Sequence, residues 1–366
     1  MKISDVKVQS FRHPSPDEWG RSFGKTLDIC VVTVCTDEGI QGHAMGRAQG
    51  GAPGSVLGQE ILSVARPAVV GEDPMDRERI WQKLWNMGRR TRLTVFAQSC
   101  IDVALWDIAG KALNLPVYKL IGGCRNEVPA YASSAAHDST EAFVEEALTC
   151  KARGFKGYKL HTHGVPEHDI EVCRELRKAV GDGYPLMIDV SGAYDRRGAM
   201  WAGRRLEELD FYWYEEPLPD FDIEGYAELC RALDIPIVAG EVSPGNVYMT
   251  AQFQARRATD ILRADVYWKG GITGVMKIAH LAEAYGMKLE IHHAASALMN
   301  WANLHCLGAF KNGDFLEVLI PADPLNFGLE QYIKIDAAGL AHLPQRPGLG
   351  VDIDWDYVNS HTTFKG

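Results

Sequence analysis

Short apolar runs of strand length alternate with longer stretches of helical periodicity through the middle of the chain. The longer stretches, for example residues 141–154, 168–181 and 273–286, end in glycine, a common helix stop. The strand-like runs are VPAYASS, GYKL, PLMIDV, FYWYEE, PIVAGE, ILRADV, MKLEIHH and DFLEVL. Because each return crossing uses a helix, the pattern predicts parallel strands. We therefore predict the α/β fold class, with a (β/α)8 (TIM-like) barrel over residues 126–320.

Ionisable residues end most of these predicted strands. They are Lys159, Asp189, Glu215, Glu241, Asp265, His292 and Glu317. The spacing between neighbours ranges from 24 positions (Glu241 to Asp265) to 30 (Lys159 to Asp189), about one strand–helix unit. One carboxylate at a strand end is usually a helix cap or a turn residue. A set in register along seven strands instead predicts an active site at the carboxyl end of the barrel.

Three of these residues form a candidate magnesium site. Asp189, Glu215 and Glu241 come from adjacent strands and would repel one another without a cation between them. Ligands that are all oxygen favour Mg2+, whereas zinc prefers nitrogen and sulfur. With Lys159 and His292 on either side, the site suits removal of a proton next to a carboxylate, because cations stabilise the enolate that forms.

The stretch GYKLHTHG offers an alternative. Lys159, His161 and His163 alternate, so in a strand they would share one face, and two histidines separated by one residue can ligate zinc. A zinc hydrolase of this kind would need further histidines at later strand ends. Those ends are mostly carboxylates here, which favours the magnesium interpretation.

Several longer motifs resemble one family. They are AQSCIDVALWDIAGKALNLPVYKLIGG, WYEEPLP, GE at 240–241, ADVYWKGGITG and FLEV. Over essentially its whole length the chain is similar to the enolase superfamily, mandelate racemase subgroup. The resemblance implies that Asp265 orients His292 and raises its basicity. It also implies that Lys159 and Glu317 contact the carboxylate and enediolate oxygens of the substrate.

The resemblance further implies an α+β capping domain around the barrel mouth. It would combine residues 1–125 with the C-terminal tail 321–366. Two mobile loops rich in glycine and proline, near residues 13–25 and 42–54, would close over the substrate. The candidate substrate contacts in these loops are His13, Trp19 and Arg47.

The chain departs from the family pattern at two places. The best-known motif of the second strand is Lys-x-Lys, and here His161 takes the place of the second lysine. A histidine can serve as a base near neutral pH. Ser191 stands where an asparagine that can contact substrate is common. For His163 two roles stay open, that of a loop residue and that of a substrate contact.

Two further residues near the mouth are expected outside the site. If the strand continues, His293 must face away from His292, because neighbouring residues on a strand point to opposite sides, so it is expected in the core or at a subunit contact. Lys269, four residues after Asp265, is expected to be a solvated loop lysine.

Charge and composition limit the classes of partner. The formal net charge is −10, which argues against a nucleic-acid or anionic-membrane partner. We find neither an apolar run of transmembrane length nor a secretory h-region at the start. The eight cysteines are scattered without a CxxC pair, as expected of free thiols in the cytoplasm. The expected partner is a small-molecule carboxylate, and the resemblance implies a homo-oligomer.

Together these observations predict a Mg2+-dependent lyase that dehydrates a sugar acid to a 2-keto-3-deoxy acid. The alternative is a racemase or epimerase of an α-hydroxy acid or amino-acid derivative, which uses the same enediolate without elimination. A third class is a non-catalytic barrel that binds a sugar acid. The predicted metal ligands and Asp–His pair argue against it, because binding alone does not need a Brønsted base. Whether His161 or His292 removes the α-proton stays open.

Overall fold

The N-terminal part of the chain is an antiparallel sheet covered by helices. The structure, a computed structural model, describes residues 1–48, 51–293 and 296–366. Its first strands are β1 Ile3–Pro14, β2 Thr26–Thr36 and β3 Gln41–Gly46, paired in chain order. The helices are α1 Gly20–Phe23, α2 Gly54–Glu60, α3 Arg66–Val69, α4 Arg77–Thr91, α5 Val95–Ala112 and α6 Val117–Leu120, with a 3-10 turn at Asp17–Trp19 and a π turn at Ile61–Ala65.

Parallel strands form the centre of the molecule. They are β4 Glu127–Ser133, β5 Tyr158–His161, β6 Leu186–Asp189, β7 Trp213–Glu215, β8 Ile237–Ala239, β9 Ile261–Ala264, β10 Lys288–Ile291 and β11 Leu316–Leu319. Hydrogen bonds join them in the order β10-β9-β8-β7-β6-β5-β4-β11. β10 and β11 are neighbours but show no pairing within the described ranges, so the barrel is nearly closed. The predicted (β/α)8 barrel is confirmed.

Helices connect consecutive strands of the barrel, as the periodicity predicts. They are α7 Thr140–Ala152, α8 Pro166–Val180, α9 Arg196–Glu208, α10 Ile223–Ala232, α11 Asn246–Ala255, α12 Gly271–Ala284 and α13 Ala297–Leu307. In the part of the chain that the structure describes, no helix has the length and apolar character needed to cross a membrane.

The C-terminal tail returns to the N-terminal sheet. After a 3-10 turn at Asp323–Leu325 it contains β12 Leu340–His342, α14 Trp355–Ser360 and β13 Thr362–Lys365. β12 pairs with β4, and β13 pairs antiparallel with β1. The division into a capping domain (1–125 with 321–366) and a barrel (126–320) stays a prediction, and the pairing of β13 with β1 is compatible with it.

The two predicted loops are more regular than expected. Residues 13–25 include the end of β1, the turn at Asp17–Trp19 and α1. Residues 42–46 belong to β3, while 49–50 lie outside the described residues. The glycine in GHAMG therefore does not mark a loop. Gly42 packs closely against α5, and a Cβ at this position would lie 2.0 Å from the carbonyl oxygen of Ala104, so only glycine fits.

An apolar layer closes the barrel below the site. It consists of Tyr131, Met187, Trp213, Val238, Ile261 and Phe315. Residues two positions apart on a strand point to the same side. Asp189, Glu215 and Glu317 therefore follow Met187, Trp213 and Phe315 inside the barrel, one layer closer to the mouth.

His305 of α13 links the barrel to the N-terminal part of the chain and to the C-terminal tail. Its Nδ1 accepts a hydrogen bond from the backbone N–H of Tyr118 at 3.0 Å, and its Nε2 donates to the carbonyl of Leu349 at 3.1 Å. Burial lowers the pKa of His305 to about 4. Protonation of Nδ1 would break the first bond and leave a charge in the core.

We expect the stability of the fold to decrease between pH 6.5 and 4 for this reason. In that range the unfolded histidine binds a proton and the folded one does not, so the stability from neutral His305 is present above pH 6.5 and lost as the pH falls. Between pH 7 and pH 5 the loss from this group should be about 2 kcal/mol. Urea unfolding at both pH values measures it.

His305→Asn should reduce the difference between the two pH values, and His280→Asn, at an exposed position of α12, should leave it unchanged. An equal difference in wild type and His305→Asn would show that His305 titrates normally.

Candidate active site

Lys159 lies between three carboxylates inside the mouth of the barrel. Its Nζ is 2.8 Å from Glu317 Oε1, 3.0 Å from Glu215 Oε2 and 3.4 Å from Asp189 Oδ2. The lysine is fully buried. Burial and the nearby Arg263 oppose its charge, but the carboxylates outweigh them and hold the pKa of Lys159 well above its usual value. Lys159 is therefore a fixed cation buried among the carboxylates at the barrel mouth.

Arg263 is a second buried cation, which the sequence analysis did not include. Its Nε lies 2.8 Å from Glu215 Oε1, and its Nη2 donates to Glu317 Oε2 at 2.7 Å and to the Tyr131 hydroxyl at 2.8 Å. The motif ILRADV could have predicted this position. Arg263 stands two residues before Asp265, and residues two positions apart on a strand point to the same side. An arginine in so apolar a strand needs carboxylate partners.

Acidic groups outnumber fixed cations around this site. Within the described residues the carboxylates are Asp189, Glu215, Glu216, Glu241, Asp265 and Glu317, and the lysines and arginines are Lys159, Arg263, Lys269 and Arg47. Burial and the neighbouring carboxylates raise the pKa of Glu216 to about 8 and that of Glu241 well above its usual range. Another cation would relieve this repulsion.

The predicted magnesium ligands come from the ends of three neighbouring strands. Asp189 and Glu215 end β6 and β7, and Glu241 lies two residues beyond β8. Oε1 of Glu215 is buried and lies 2.8 Å from Arg263 Nε, but it accepts no well-aligned hydrogen bond from the residues that the structure describes. Oxygen donors with an unsatisfied buried atom and surplus negative charge fit a hard divalent cation such as Mg2+.

These carboxylates are at present turned toward side-chain cations. Asp189 Oδ2 lies 3.3 Å from His161 Nε2, and Glu241 Oε1 lies 3.2 Å from His292 Nε2. Accordingly, no group of three or more His, Cys, Asp or Glu side chains in the described ranges is arranged to hold a metal. The assignment of the three ligands stays a prediction, supported by donor chemistry and charge.

Asp265 and His292 form the predicted pair. Asp265 Oδ2 lies 2.8 Å from His292 Nδ1, while Oδ1 accepts hydrogen bonds from the backbone N–H groups of Tyr267 and Trp268. Burial opposes protonation of His292, but Glu241 and Asp265 outweigh it and raise its pKa. The carboxylate fixes the ring with Nδ1 as a donor, so Nε2 faces the cavity for proton transfer.

His161 lies at the end of β5. Its Nδ1 is 2.6 Å from the backbone carbonyl of Ser134, to which it donates, so Nε2 faces the cavity. Trp19 packs edge-on against the ring, with centroids 5.5 Å apart. Burial alone would lower the pKa of His161, but the nearby carboxylate of Asp189 outweighs this effect and raises the pKa. A second imidazole is thus held in one orientation at the same cavity as His292.

A cavity of about 220 Å³ lies above these groups. Its ionisable lining includes Arg47, His161, Glu241, His292, His293 and Glu317, and its apolar lining includes Trp19, Phe23, Leu27, Leu319, Leu325 and Phe327. Among the candidate substrate contacts, Trp19, Arg47 and Ser191 line this cavity. Ser191 also donates from its backbone N–H and its hydroxyl to Asp189 Oδ1, so it orients a predicted metal ligand.

The structure places two other candidates outside this cavity. The ring of His13 stacks on Phe327 with centroids 4.0 Å apart, and its Nε2 bonds to the carbonyl of Pro324. His163 is exposed, and its Nε2 bonds to the carbonyl of His137. His13 thus supports a cavity wall from behind, and His163 is a loop residue, because the chain turns outward after β5 ends.

Two expectations about neighbouring residues were wrong. His293 lines the cavity, since β10 ends at Ile291 and the alternation of a strand no longer applies. Lys269 is fully buried and donates to the carbonyl of Ser243 at 2.7 Å. Burial lowers the pKa of Lys269 to about 8. A loop lysine is solvated only where the loop faces water, and this one turns inward.

Comparison with known proteins agrees with this geometry. Residues 5–122 match the model of the mandelate racemase/muconate lactonizing enzyme N-terminal domain, and residues 142–357 match the enolase C-terminal domain-like model. Arabinonate dehydratase of Saccharolobus solfataricus is 32% identical over 89% of this chain and 88% of its own. L-talarate/galactarate dehydratase of Salmonella typhimurium is 32% identical over 88% of this chain and 79% of its own. A crystal structure of D-glucarate dehydratase from Agrobacterium tumefaciens complexed with magnesium has a TM-score of 0.89 and 35% identity, and covers 100% of both chains.

Proposed function

The chain belongs to the enolase superfamily, mandelate racemase subgroup, and on that premise we propose that it is a Mg2+-dependent lyase that removes water from a sugar acid. The product is a 2-keto-3-deoxy acid. The observation that carries the proposal is the Asp265–His292 pair, whose imidazole shares one cavity with His161. Relatives named as dehydratases of arabinonate, talarate/galactarate and glucarate support this reaction and substrate class.

The buried charged residues at the barrel mouth would hold the substrate carboxylate. The positive charge of Lys159 would attract it, and Glu317 positions both Lys159 and Arg263 through contacts of 2.8 and 2.7 Å. Asp189, Glu215 and Glu241 would hold Mg2+, which when bound stabilises the negative charge that develops on the substrate. The α-proton becomes acidic enough to remove because these cations neutralise the enediolate.

The two histidines would carry the proton transfers. One imidazole removes the α-proton as the C–H bond breaks, and a protonated imidazole gives a proton to the β-hydroxyl, which leaves as water. The resulting enol then takes its 2-keto form. Trp19, Phe23 and Leu27 line the cavity and limit the access of water to the reacting groups.

A screen of acid sugars in the presence of Mg2+ tests this proposal. Formation of a 2-keto acid supports dehydration. The two histidines in one cavity also suit a racemase or epimerase, which would exchange the α-proton for deuterium without forming a 2-keto acid. Binding with neither exchange nor product would contradict both enzymatic proposals and favour a sugar-acid binding protein.

His161→Asn distinguishes the two possible roles of this histidine. We expect it to lower kcat by about 100-fold or more, because it removes a general acid or base. If His161 is the α-base, deuterium exchange at Cα is lost together with turnover. If it is the acid that expels the hydroxyl, exchange continues while product formation stops. NMR in D2O measures both, and full turnover in the variant would remove His161 from the mechanism.

A further inference from the structure

Arg47 brings a positive charge without a carboxylate partner to the wall of the active-site cavity. Its Nε is shielded from water and has no hydrogen-bond partner among the residues that the structure describes. Within the described ranges its guanidinium makes no ion pair at 4.0 Å or less, unlike Lys159 and Arg263 at the base of the same site. Its guanidinium carbon lies 4.5 Å from the ring centroid of Phe23, another residue of the cavity wall.

The backbone of Arg47 is fixed to the barrel. The hydroxyl of Tyr267 accepts a hydrogen bond from the Arg47 N–H at 2.9 Å and donates to the Arg47 carbonyl. The preceding Gly46 is packed so closely that a Cβ would lie 2.7 Å from Cys100 Sγ and 3.0 Å from Tyr267 Cε2. Arg47 is therefore held in place before any ligand arrives, which lowers the entropic cost of binding.

The surroundings of Arg47 leave room for an anion that the protein does not supply. Glu317 pairs with Lys159 and Arg263, while Glu241 and Asp265 both contact His292. The neighbouring His293 is neutral, because burial lowers its pKa to about 3, so it does not compete with Arg47 for negative charge. A partly desolvated guanidinium without a partner gains most from a carboxylate, which it can bind through two hydrogen bonds.

We propose that Arg47 binds a second carboxylate of the substrate, so that the preferred substrate is a dicarboxylic sugar acid. One carboxylate lies at Lys159 and the other at Arg47. The inference rests on the proposed function for the chemistry, but it concerns only recognition of the distal end of the substrate.

The test compares diacids with monoacids of the same configuration, namely glucarate with gluconate and galactarate with galactonate. Wild type should have the higher kcat/KM for a diacid. Arg47→Met should lower kcat/KM for that diacid by about 100-fold, mainly through KM, because the distal carboxylate loses its charged partner. The monoacid should change by less than about threefold. Arg47→Lys should restore part of the loss, and Arg90→Met, at an exposed position of α4, should change neither substrate.

Equal losses of kcat/KM for diacid and monoacid in Arg47→Met, or a wild-type preference for monoacids, would overturn the assignment. Calorimetric binding of the same pairs with Mg2+ present, in folded wild type, Arg47→Met and Arg47→Lys, needs no turnover. If no 2-keto acid or deuterium exchange is found, the proposed function fails, and the difference in affinity still decides the role of Arg47. Tighter binding of the diacid that Arg47→Met abolishes supports the inference, and equal affinities in all variants contradict it.

Discussion

Replacing His292 by asparagine is expected to lower kcat by about 1,000-fold or more on the true substrate. Nδ1 of His292 is fixed by the buried carboxylate of Asp265 at 2.8 Å, so the variant loses a proton-transferring Nε2 that is held in one orientation. General acid–base groups typically contribute factors of about 100 to 10,000. The measurement is formation of 2-keto acid with Mg2+ present, and KM should change much less than kcat.

His280→Asn is the matched control, because His280 is exposed on α12 and lies outside the cavity lining. Asp265→Asn should also lower kcat, with His292 still present but no longer held by a carboxylate. Full turnover of His292→Asn would show that the mechanism is wrong even with the fold and the metal site intact.

Replacing Glu215 by glutamine is expected to weaken Mg2+ binding by at least about 100-fold and to abolish turnover. Glu215 lies between Lys159 and Arg263, and one of its buried oxygens accepts no well-aligned hydrogen bond from the described part of the chain. Glutamine keeps the size of the side chain but removes the negative charge and one ligand oxygen that a hard cation needs. Titration calorimetry with Mg2+ measures the affinity directly.

The thermal stability gives a second measurement that does not depend on activity. A ligand present at 100 times its Kd stabilises the folded state by about 2.7 kcal/mol, so Mg2+ should raise the Tm of wild type and should not raise that of Glu215→Gln. Glu290→Gln is the control, because Glu290 is a buried glutamate of the same barrel whose oxygens accept from the backbone N–H groups of Asp314 and Phe315. Wild-type Mg2+ affinity in Glu215→Gln would remove this residue from the metal site.

The periodicity of the chain was sufficient to predict the barrel, because each strand and helix is a local pattern whose period depends on neighbouring residues. The order of the units then limits the topology, since consecutive parallel strands need helical crossings. The residues at strand ends follow from the same argument. Asp189 and Glu215 end their strands, and Glu241, Asp265 and His292 lie one or two residues beyond theirs. Lys159 and Glu317 were predicted at strand ends as well, but they lie two residues before the ends of β5 and β11.

The tertiary structure alone decided which side chains share a cavity and how each charge is balanced. Arg263 reaches Glu317 across 54 positions of sequence, and Tyr267 fixes Arg47 across 220. Lys269 turns inward and His13 stacks behind a wall, since a loop follows the surfaces it packs on and has no period of its own. Sequence patterns thus determine where the strands and their ends lie, whereas burial and pairing depend on contacts between distant segments that exist only after the chain has folded.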